Sequence, residues 1–417
     1  MSTARGELPQ TVYERSLDCV HCGLCLMACP TYLETGRESS SPRGRIYLMR
    51  GVAEGRIPLD GLLADEAQLC LGCRACESAC PSGVQYGEML ELTRDALARA
   101  GVRRGMSAWL ERLALRRLVP SRARLRAFVD LVWLAQRTRL DRVVLRLLPS
   151  SLGDAYSLLP ALPSRHARRP LPALTPAEGE RRGRVALLTG CVMAELFADV
   201  HRATARVLAR NGFDVIVPAQ QGCCGALQAH SGDLDKARSL ARSNRDVFVS
   251  ADVDAVVVNS AGCGAAMRDV SHWLPGEADD LAALTRDVCE FLDDAGLRPT
   301  TAPVAARVCY DDPCHLVHGQ GVSQAPRRLL RAIAGLELVE QRDPGACCGA
   351  AGTYNLTQPA MSRRVLAAKL DALAEVDPDV IASGNPGCLM QLAAGVRQRG
   401  LRARVVHPVE LLAEAYL

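Results

Sequence analysis

Cys19-Val20-His21-Cys22-Gly23-Leu24-Cys25-Leu26-Met27-Ala28-Cys29-Pro30 and Cys70-Leu71-Gly72-Cys73-Arg74-Ala75-Cys76-Glu77-Ser78-Ala79-Cys80-Pro81 are two copies of one spacing, C-x2-C-x2-C-x3-C-P. One tight turn can aim three such thiolates at three irons of a single [4Fe-4S] cubane, and the fourth reaches a second cluster. Gly23 and Gly72 suit crowded turns that need positive φ or lack room for a side chain. Pro30 and Pro81 restrict the backbone behind each run. A chain built this way carries electrons.

Two-cluster ferredoxins cross their fourth ligands. By that rule Cys19, Cys22, Cys25 and Cys80 share one cluster, and Cys70, Cys73, Cys76 and Cys29 share the other, which places the two clusters close together. A pair of tetrahedral zinc sites is the alternative, because C-x2-C pairs also bind zinc. Four cysteines per run, each closed by proline, fit it poorly. A secreted disulfide scaffold fits worse, since such scaffolds are short whereas this chain has 417 residues, and residues 1–16 are polar without an apolar leader. Reduced thiols and clusters predict a cytoplasmic protein.

Hydrophobic residues make up 48% of the chain, enough for two or three domain cores. Aromatic residues are only 4% and the net charge is +4, which argues against a nucleic-acid binder. No apolar run approaches a transmembrane segment: residues 128–135 are bounded by Arg126 and Arg137. Basic charge concentrates between residues 99 and 148, at Arg112, Arg116, Arg117, Arg122, Arg124, Arg126, Arg137, Arg139, Arg142 and Arg146. Trp109, Leu113, Leu118, Leu125, Phe128, Leu131, Val132 and Leu145 alternate with them at helical intervals. This connector reads either as a docking face for an acidic partner or anionic membrane, or as a solvated helical face packed on its own domain. Residues 160–176, rich in proline and arginine, read as a linker.

A second duplication follows. Cys191, Cys223-Cys224-Gly225 and Cys263 are separated by 32 and 39 residues; Cys314, Cys347-Cys348-Gly349 and Cys388 are separated by 33 and 40. Apolar strands are expected at residues 185–188, 214–217 and 255–258 in the first copy and at 307–310, 336–339 and 379–382 in the second, with a helix over 194–210. Continuous apolar strands alternating with helices predict a mainly parallel α/β sheet in each copy. The cysteines then lie at the carboxyl ends of strands, where such sheets bind ligands and where helix amino termini favour thiolates. A further iron-sulfur cluster or zinc, or a structural or redox-thiol role, are both open for these eight cysteines. Cys289 and Cys309 stand outside the repeat and read as small buried hydrophobes.

Gly190-Cys191, Gly222-Cys223-Cys224-Gly225, Gly262-Cys263, Pro313-Cys314-His315, Cys347-Cys348-Gly349 and Pro386-Gly387-Cys388 resemble the cysteine-rich domain of heterodisulfide reductases and their relatives. Joined to the amino-terminal cysteine runs, and with Cys29-Pro30-Thr31-Tyr32 and Ser41-Pro42-Arg43-Gly44-Arg45-Ile46-Tyr47-Leu48 between them, nearly the whole chain is similar to the glycolate oxidase iron-sulfur subunit family. The resemblance implies an oxidoreductase subunit that takes electrons from a partner whose FAD oxidises glycolate, or a similar 2-hydroxy acid, to the 2-oxo acid. It implies no catalytic residue on this chain, and an acceptor such as a membrane quinone, with the protein cytoplasmic or peripheral on the cytoplasmic face. A heterodisulfide-reductase-like catalytic subunit, a lactate or glycerol-3-phosphate dehydrogenase iron-sulfur subunit, and a zinc-bearing assembly module are the alternatives.

One departure bears on them. Heterodisulfide reductase repeats end in C-x2-C, but three residues after Cys263 and Cys388 stand Ala266 and Gln391. Disulfide chemistry at such a cluster therefore lacks its fifth ligand in both copies. Gly319-Gln320-Gly321 is a fragment of a dinucleotide fingerprint without the full motif, so a flavin site on this chain is not indicated. His21 and His315 either tune a cluster through a hydrogen bond or make a local one. Arg43 and Arg45 either offset cluster charge or lie on a solvated loop. The expected architecture is α+β and α/β: a mainly helical two-cluster ferredoxin-like domain at 1–98, a basic helical connector and linker at 99–180, and a duplicated α/β cysteine-rich domain at 181–300 and 301–417.

Overall fold

A computed structural model describes residues 7–147, 153 and 156–417. Residues 1–6, where the polar amino-terminal stretch begins, and Leu148, the expected end of the connector, lie outside the described residues.

The amino-terminal region is helical. Gln10–Leu17, Pro42–Ala53, Leu62–Leu69 and Tyr86–Arg99 surround one core containing Val12, Ile46, Met49, Leu63, Met89, Leu90 and Leu97. Met89, Leu90 and Leu97 recur at helical spacing and so share the inward face. Ser41 starts its helix by accepting the Gly44 N–H at 3.0 Å, and Pro42 fills a first-turn position that needs no donor.

The remainder is duplicated α/β structure, as the sequence indicates. The first sheet contains β1 (Leu174–Thr175), β2 (Gly183–Leu188), β3 (Phe213–Ile216), β4 (Ala255–Val258) and β5 (Thr285–Asp287), ordered β1-β3-β2-β4-β5. The second contains β6 (Ala306–Tyr310), β7 (Leu336–Val339), β8 (Val380–Ala382) and β9 (Arg404–Val406), ordered β7-β6-β8-β9. Strands β2 to β5 and β6 to β9 pair in parallel with identical topology, and β1 adds an antiparallel edge. The sheets share a core that includes Val185, Leu187, Val308, Tyr310, Leu412 and Tyr416. Their opposite faces are covered separately, by Phe248 and Trp273 in one copy and Leu370 and Leu392 in the other. Both faces of each sheet are therefore buried, which is why β4 reads Ala-Val-Val-Val without polar alternation.

Six strands lie within two residues of their expected positions. The strands β1, β5 and β9 were not expected: they are short edge strands, and β5 and β9 carry arginine. The helix expected over 194–210 is two helices, Val192–Leu196 and Ala198–Arg210, because Phe197 takes a non-helical backbone (φ −129°, ψ 38°).

The connector forms helices Met106–Leu113, Arg122–Thr138 and Leu140–Leu147. Leu125 and Val129 pack with Leu162 of the linker, and Arg126 pairs with Glu195 at 3.1 Å. Trp109, Leu113, Phe128 and Leu131, which on one of the two readings of the connector would pack on the domain, are exposed.

His201 ties the first repeat together. Its Nε2–H donates to the Thr189 carbonyl at 3.0 Å, and Nδ1 accepts from Asn259 Nδ2 at 3.0 Å, so the neutral ring satisfies both partners. Burial pushes its pKa down from 6.5 to about 4. The folded group resists a proton that the unfolded group accepts, so its contribution is intact above about 6.5 and is lost as pH falls toward 4. Urea unfolding measured across that range should show wild type losing up to about 3 kcal/mol more than His201→Gln.

Candidate functional site

The two amino-terminal cysteine loops are wound alike. Two and four residues after the first cysteine of each run the backbone is left-handed: His21 (φ 56°) and Gly23 (φ 88°) in one, Gly72 (φ 65°) and Arg74 (φ 64°) in the other. Gly23 has a second reason to be glycine, since a Cβ there would stand 2.6 Å from Arg43 Nη1. Arg43 lies across this loop, donating to the His21 carbonyl at 3.1 Å and to both carboxylate oxygens of Glu38.

Cys19, Cys22, Cys25 and Cys80 line one cavity together with Cys76. Cys22 is exposed and the other three are half-buried. Cys29, Cys70, Cys73 and Cys76 form a deeper group, close enough that the negative charge of Cys29 and Cys70 raises the pKa of Cys73 and Cys76; burial is the larger cause. The eight thiols of the two loops therefore lie close together, with Cys76 adjoining both groups.

Arg45 and Arg94 brace the deeper group. Arg45 is fully buried; it donates to the Glu66 carbonyl at 2.8 Å and Thr31 Oγ1 at 3.0 Å, with Nη1 3.9 Å from Cys29 Sγ. It is neither solvated nor on a loop, whereas Arg43 is on the surface beside the first loop. Arg94 donates to the carbonyls of Ala67, Cys70 and His230. The Cys70 sulfur also accepts from the Gly72 N–H at 3.4 Å and the Tyr86 hydroxyl at 3.6 Å.

In the duplicated domain the cysteines form two chains of contacts. Cys191 Sγ lies 3.5 Å from Cys223 Sγ, Cys224 touches Cys223 and Cys263, and in the second copy Cys348 Sγ lies 3.3 Å from Cys388 Sγ while Cys347 touches Cys314 and Cys348. All eight line one cavity of about 200 Å³ between the repeats, which also admits Cys70, His230 and His315. Cys191, Cys263, Cys314 and Cys388 follow β2, β4, β6 and β8 and lie at or beside helix starts, where backbone N–H groups favour thiolates. Contacts with Cys191 and Cys224 pull the Cys223 thiol well down. Their thiols, and all four in the second copy, are pushed up.

The glycine of each Cys-Cys-Gly turn has a steric cause. Gly225 (φ 91°) and Gly349 (φ 85°) are left-handed and face the next long helix: an added Cβ would lie 3.2 Å from the Ala237 backbone and 2.6 Å from the Ser362 carbonyl, respectively. The adjacent thiols are thereby held at the cavity wall.

These donor sets fit iron-sulfur clusters. Thiolates are the ordinary cluster ligands, and buried thiols whose pKa is raised become thiolates when a cation compensates them. Among the described residues no three such side chains close on the point a lone ion would occupy; a cluster holds its thiolates around a larger core. The positions of the absent fifth cysteines are otherwise engaged. Ala266 is in the core, and Gln391 donates to Ser362 Oγ at 3.0 Å and accepts from Asn355 at 3.1 Å. Cys289 is buried in the core shared by the two sheets, and Cys309 is buried in the second repeat's core cluster, which also holds Cys348 and Cys388. Gly319-Gln320-Gly321 closes helix Cys314–Gln320, with Gly321 its left-handed cap.

One residue gains a role that spacing did not reveal. His315 makes no local bond: its Nε2–H donates to the Gly72 carbonyl at 2.9 Å, 243 residues away, and its ring meets His230 edge-on at 5.2 Å. It joins the second cysteine loop directly to the residue after Cys314. Cys73 consequently lies beside Cys347 and Cys314.

Comparison with known proteins agrees with this layout. A 4Fe-4S dicluster domain matches residues 15–84, a glycolate oxidase iron-sulfur subunit linker region matches 107–159, and a cysteine-rich domain matches twice, at 185–268 and 308–393. The chain is 38% identical to a probable glycolate oxidase iron-sulfur subunit of Bacillus subtilis (strain 168), over 96% of this chain and 94% of that protein. It is 33% identical to the glycolate oxidase iron-sulfur subunit of Escherichia coli (strain K12), over 95% and 93%. Lactate utilization protein A of Oceanobacillus iheyensis is 31% identical over 55% of this chain and 96% of its own length.

Replacing either turn glycine with alanine should destabilise the protein unequally. Gly349→Ala should cost about 2–4 kcal/mol and Gly225→Ala about 1–2 kcal/mol, as read by chemical unfolding, because the added Cβ comes within 2.6 Å of a backbone carbonyl oxygen in the former and only 3.2 Å in the latter.

Proposed function

Because the chain belongs to the glycolate oxidase iron-sulfur subunit family, we propose that it conducts electrons from a flavin-bearing partner that oxidises glycolate to glyoxylate, and delivers them to a quinone at the cytoplasmic face of the membrane. Two [4Fe-4S] clusters would be held by Cys19, Cys22, Cys25 and Cys80, and by Cys29, Cys70, Cys73 and Cys76. When bound they supply one-electron transfer. Further clusters would be held by Cys191, Cys223, Cys224 and Cys263, and by Cys314, Cys347, Cys348 and Cys388. The corresponding division is 1–98 for the dicluster domain, 99–180 for the connector, and 181–300 and 301–417 for the two repeats.

One observation carries this reading: the three groups of thiols lie in series. The Cys22 loop is open to a partner, the deeper group follows, and Cys73 adjoins Cys347 at the interior cavity. Arg45 and Arg94 place positive charge beside the deeper group, which favours the more negative, reduced state there. The Arg43 guanidinium does the same at the surface loop. His315 fixes the spacing between the second loop and the interior cavity. Gln391 and Ala266 leave no fifth sulfur for disulfide reduction, which favours transfer over catalysis on this chain.

The chain purified with its bound partners should contain flavin and reduce a dye when given glycolate. Oxidation of lactate or glycerol 3-phosphate but not glycolate would overturn the substrate assignment. Cys80→Ser and Cys29→Ser should each lose about four irons with their sulfide. The crossed assignment fails if Cys80→Ser removes the magnetic-resonance signal that Cys70→Ser removes rather than the one that Cys19→Ser removes.

A further inference from the structure

The connector turns the wrong face outward for a helix packed on a core. In helix Met106–Leu113 the exposed residues Met106, Trp109, Leu110 and Leu113 follow i, i+3, i+4, i+7, the spacing of one continuous stripe. Helix Leu140–Leu147 repeats it with Leu140, Val143 and Val144, all exposed. Between them, Phe128, Leu131 and Leu134 stand outward at three-residue intervals from helix Arg122–Thr138, whose opposite side carries the buried Leu125 and Val129. Met106 is 71% exposed, Leu131 66% and Trp109 56%. Such apolar stripes on consecutive helices are an interaction surface rather than scattered apolar residues.

Charge identifies what covers it. Arg112, Arg117, Arg124, Arg137, Arg139 and Arg142 are exposed, and none has a side-chain hydrogen bond or ion pair among the described residues. Every acidic residue between positions 106 and 145 is engaged within the chain instead. Glu111 accepts from Arg103 and Thr353, Asp130 pairs with Arg168, and Asp141 accepts from the Tyr156 hydroxyl at 2.7 Å. The exposed surfaces of these helices are left with apolar side chains, a tryptophan and arginines that have no side-chain partner among the described residues. A protein partner would ordinarily meet a mixture of both charge signs, whereas one uniform complement, an apolar layer beneath a sheet of anions, matches all three helices. No described helix is long and apolar enough to cross a membrane, so these helices would lie along its surface.

We propose that the connector helices Met106–Leu113, Arg122–Thr138 and Leu140–Leu147 dock this subunit on an anionic phospholipid bilayer, with their apolar stripes in the interface and their arginines at the phosphates. Delivery of electrons to a membrane quinone, the reading above on which this role rests, requires such contact. These three helices would supply it by lying along the bilayer surface.

The test is flotation of the full chain in its native complex with vesicles of phosphatidylcholine alone or mixed with one third phosphatidylglycerol. The complex should float with the anionic vesicles, be released by high salt, and bind the neutral ones weakly. Trp109→Ser with Leu113→Ser and Leu131→Ser should lower partitioning at least about tenfold, and Arg112→Gln with Arg117→Gln about thirtyfold. Iron content and visible absorption matching wild type establish that the variants are folded; the salt dependence of wild type tests the charge contribution without substitution. Absence of wild-type flotation with anionic vesicles, or flotation indifferent to salt and to both sets of variants, overturns the proposal. So does release of the flavin partner by these variants with vesicle binding unchanged, which would make the face a protein interface. Glycolate-dependent dye reduction needs no vesicle: its failure with flotation intact would remove the glycolate reading and leave the bilayer surface standing.

Discussion

Two buried guanidinium groups hold the chain where its modules meet. Helix Leu62–Leu69 ends immediately before Cys70, whose N–H donates to the Glu66 carbonyl, and the carbonyls that follow need donors from outside the helix. Arg45 takes the carbonyl of Glu66, and Arg94 takes those of Ala67 and Cys70 while reaching the His230 carbonyl in the first repeat. The same two side chains thus cap a helix, fix the second cysteine loop and fasten the amino-terminal region to the duplicated domain. Their charge has a separate use. Burial of several thiolates together is unfavourable, and a cation within the same low-dielectric region offsets part of that cost. A neutral capping residue would satisfy the carbonyls but not the thiolates.

The duplicated domain solves a related problem by symmetry. Each sheet delivers single cysteines from the ends of two neighbouring parallel strands and a Cys-Cys-Gly turn from the loop beyond a third. Because the two sheets share one core, the groups face a common cavity rather than opposite surfaces. Docking of the loop Cys70–Cys76 against this cavity through His315 and Gly72 makes the cavity an extension of the dicluster region. The outward connector lies between these two parts in the chain and is anchored by only a few buried residues, Leu125 and Val129 among them. Most of its apolar surface is left available.

Much of this was legible in sequence. The β4 and β8 strands fall where continuous apolar runs place them, because a strand covered on both faces tolerates few polar residues. The duplicated cysteine intervals identify corresponding strands before any coordinates are seen. Edge strands such as β5 and β9 escape notice, since one side has no neighbour and arginine is tolerated there. The break at Phe197 has no proline or glycine to announce it. The connector's periodicity marks apolar stripes but cannot say whether a stripe meets the protein or something outside it.

The sequence by itself determined the iron-sulfur character of the chain: cysteine count, spacing and repetition follow from the chemistry of holding several irons from one turn, and that chemistry is local. It also determined which strands would be buried, because burial demands apolar residues in a continuous run. Only the tertiary structure decided the order of the parts. Cys73 beside Cys347, His315 donating to Gly72, Arg94 reaching His230 and the outward turn of Trp109 all depend on contacts between residues distant in the chain or on which side of a helix a neighbour occupies. Spacing along one segment carries no record of what another segment will cover.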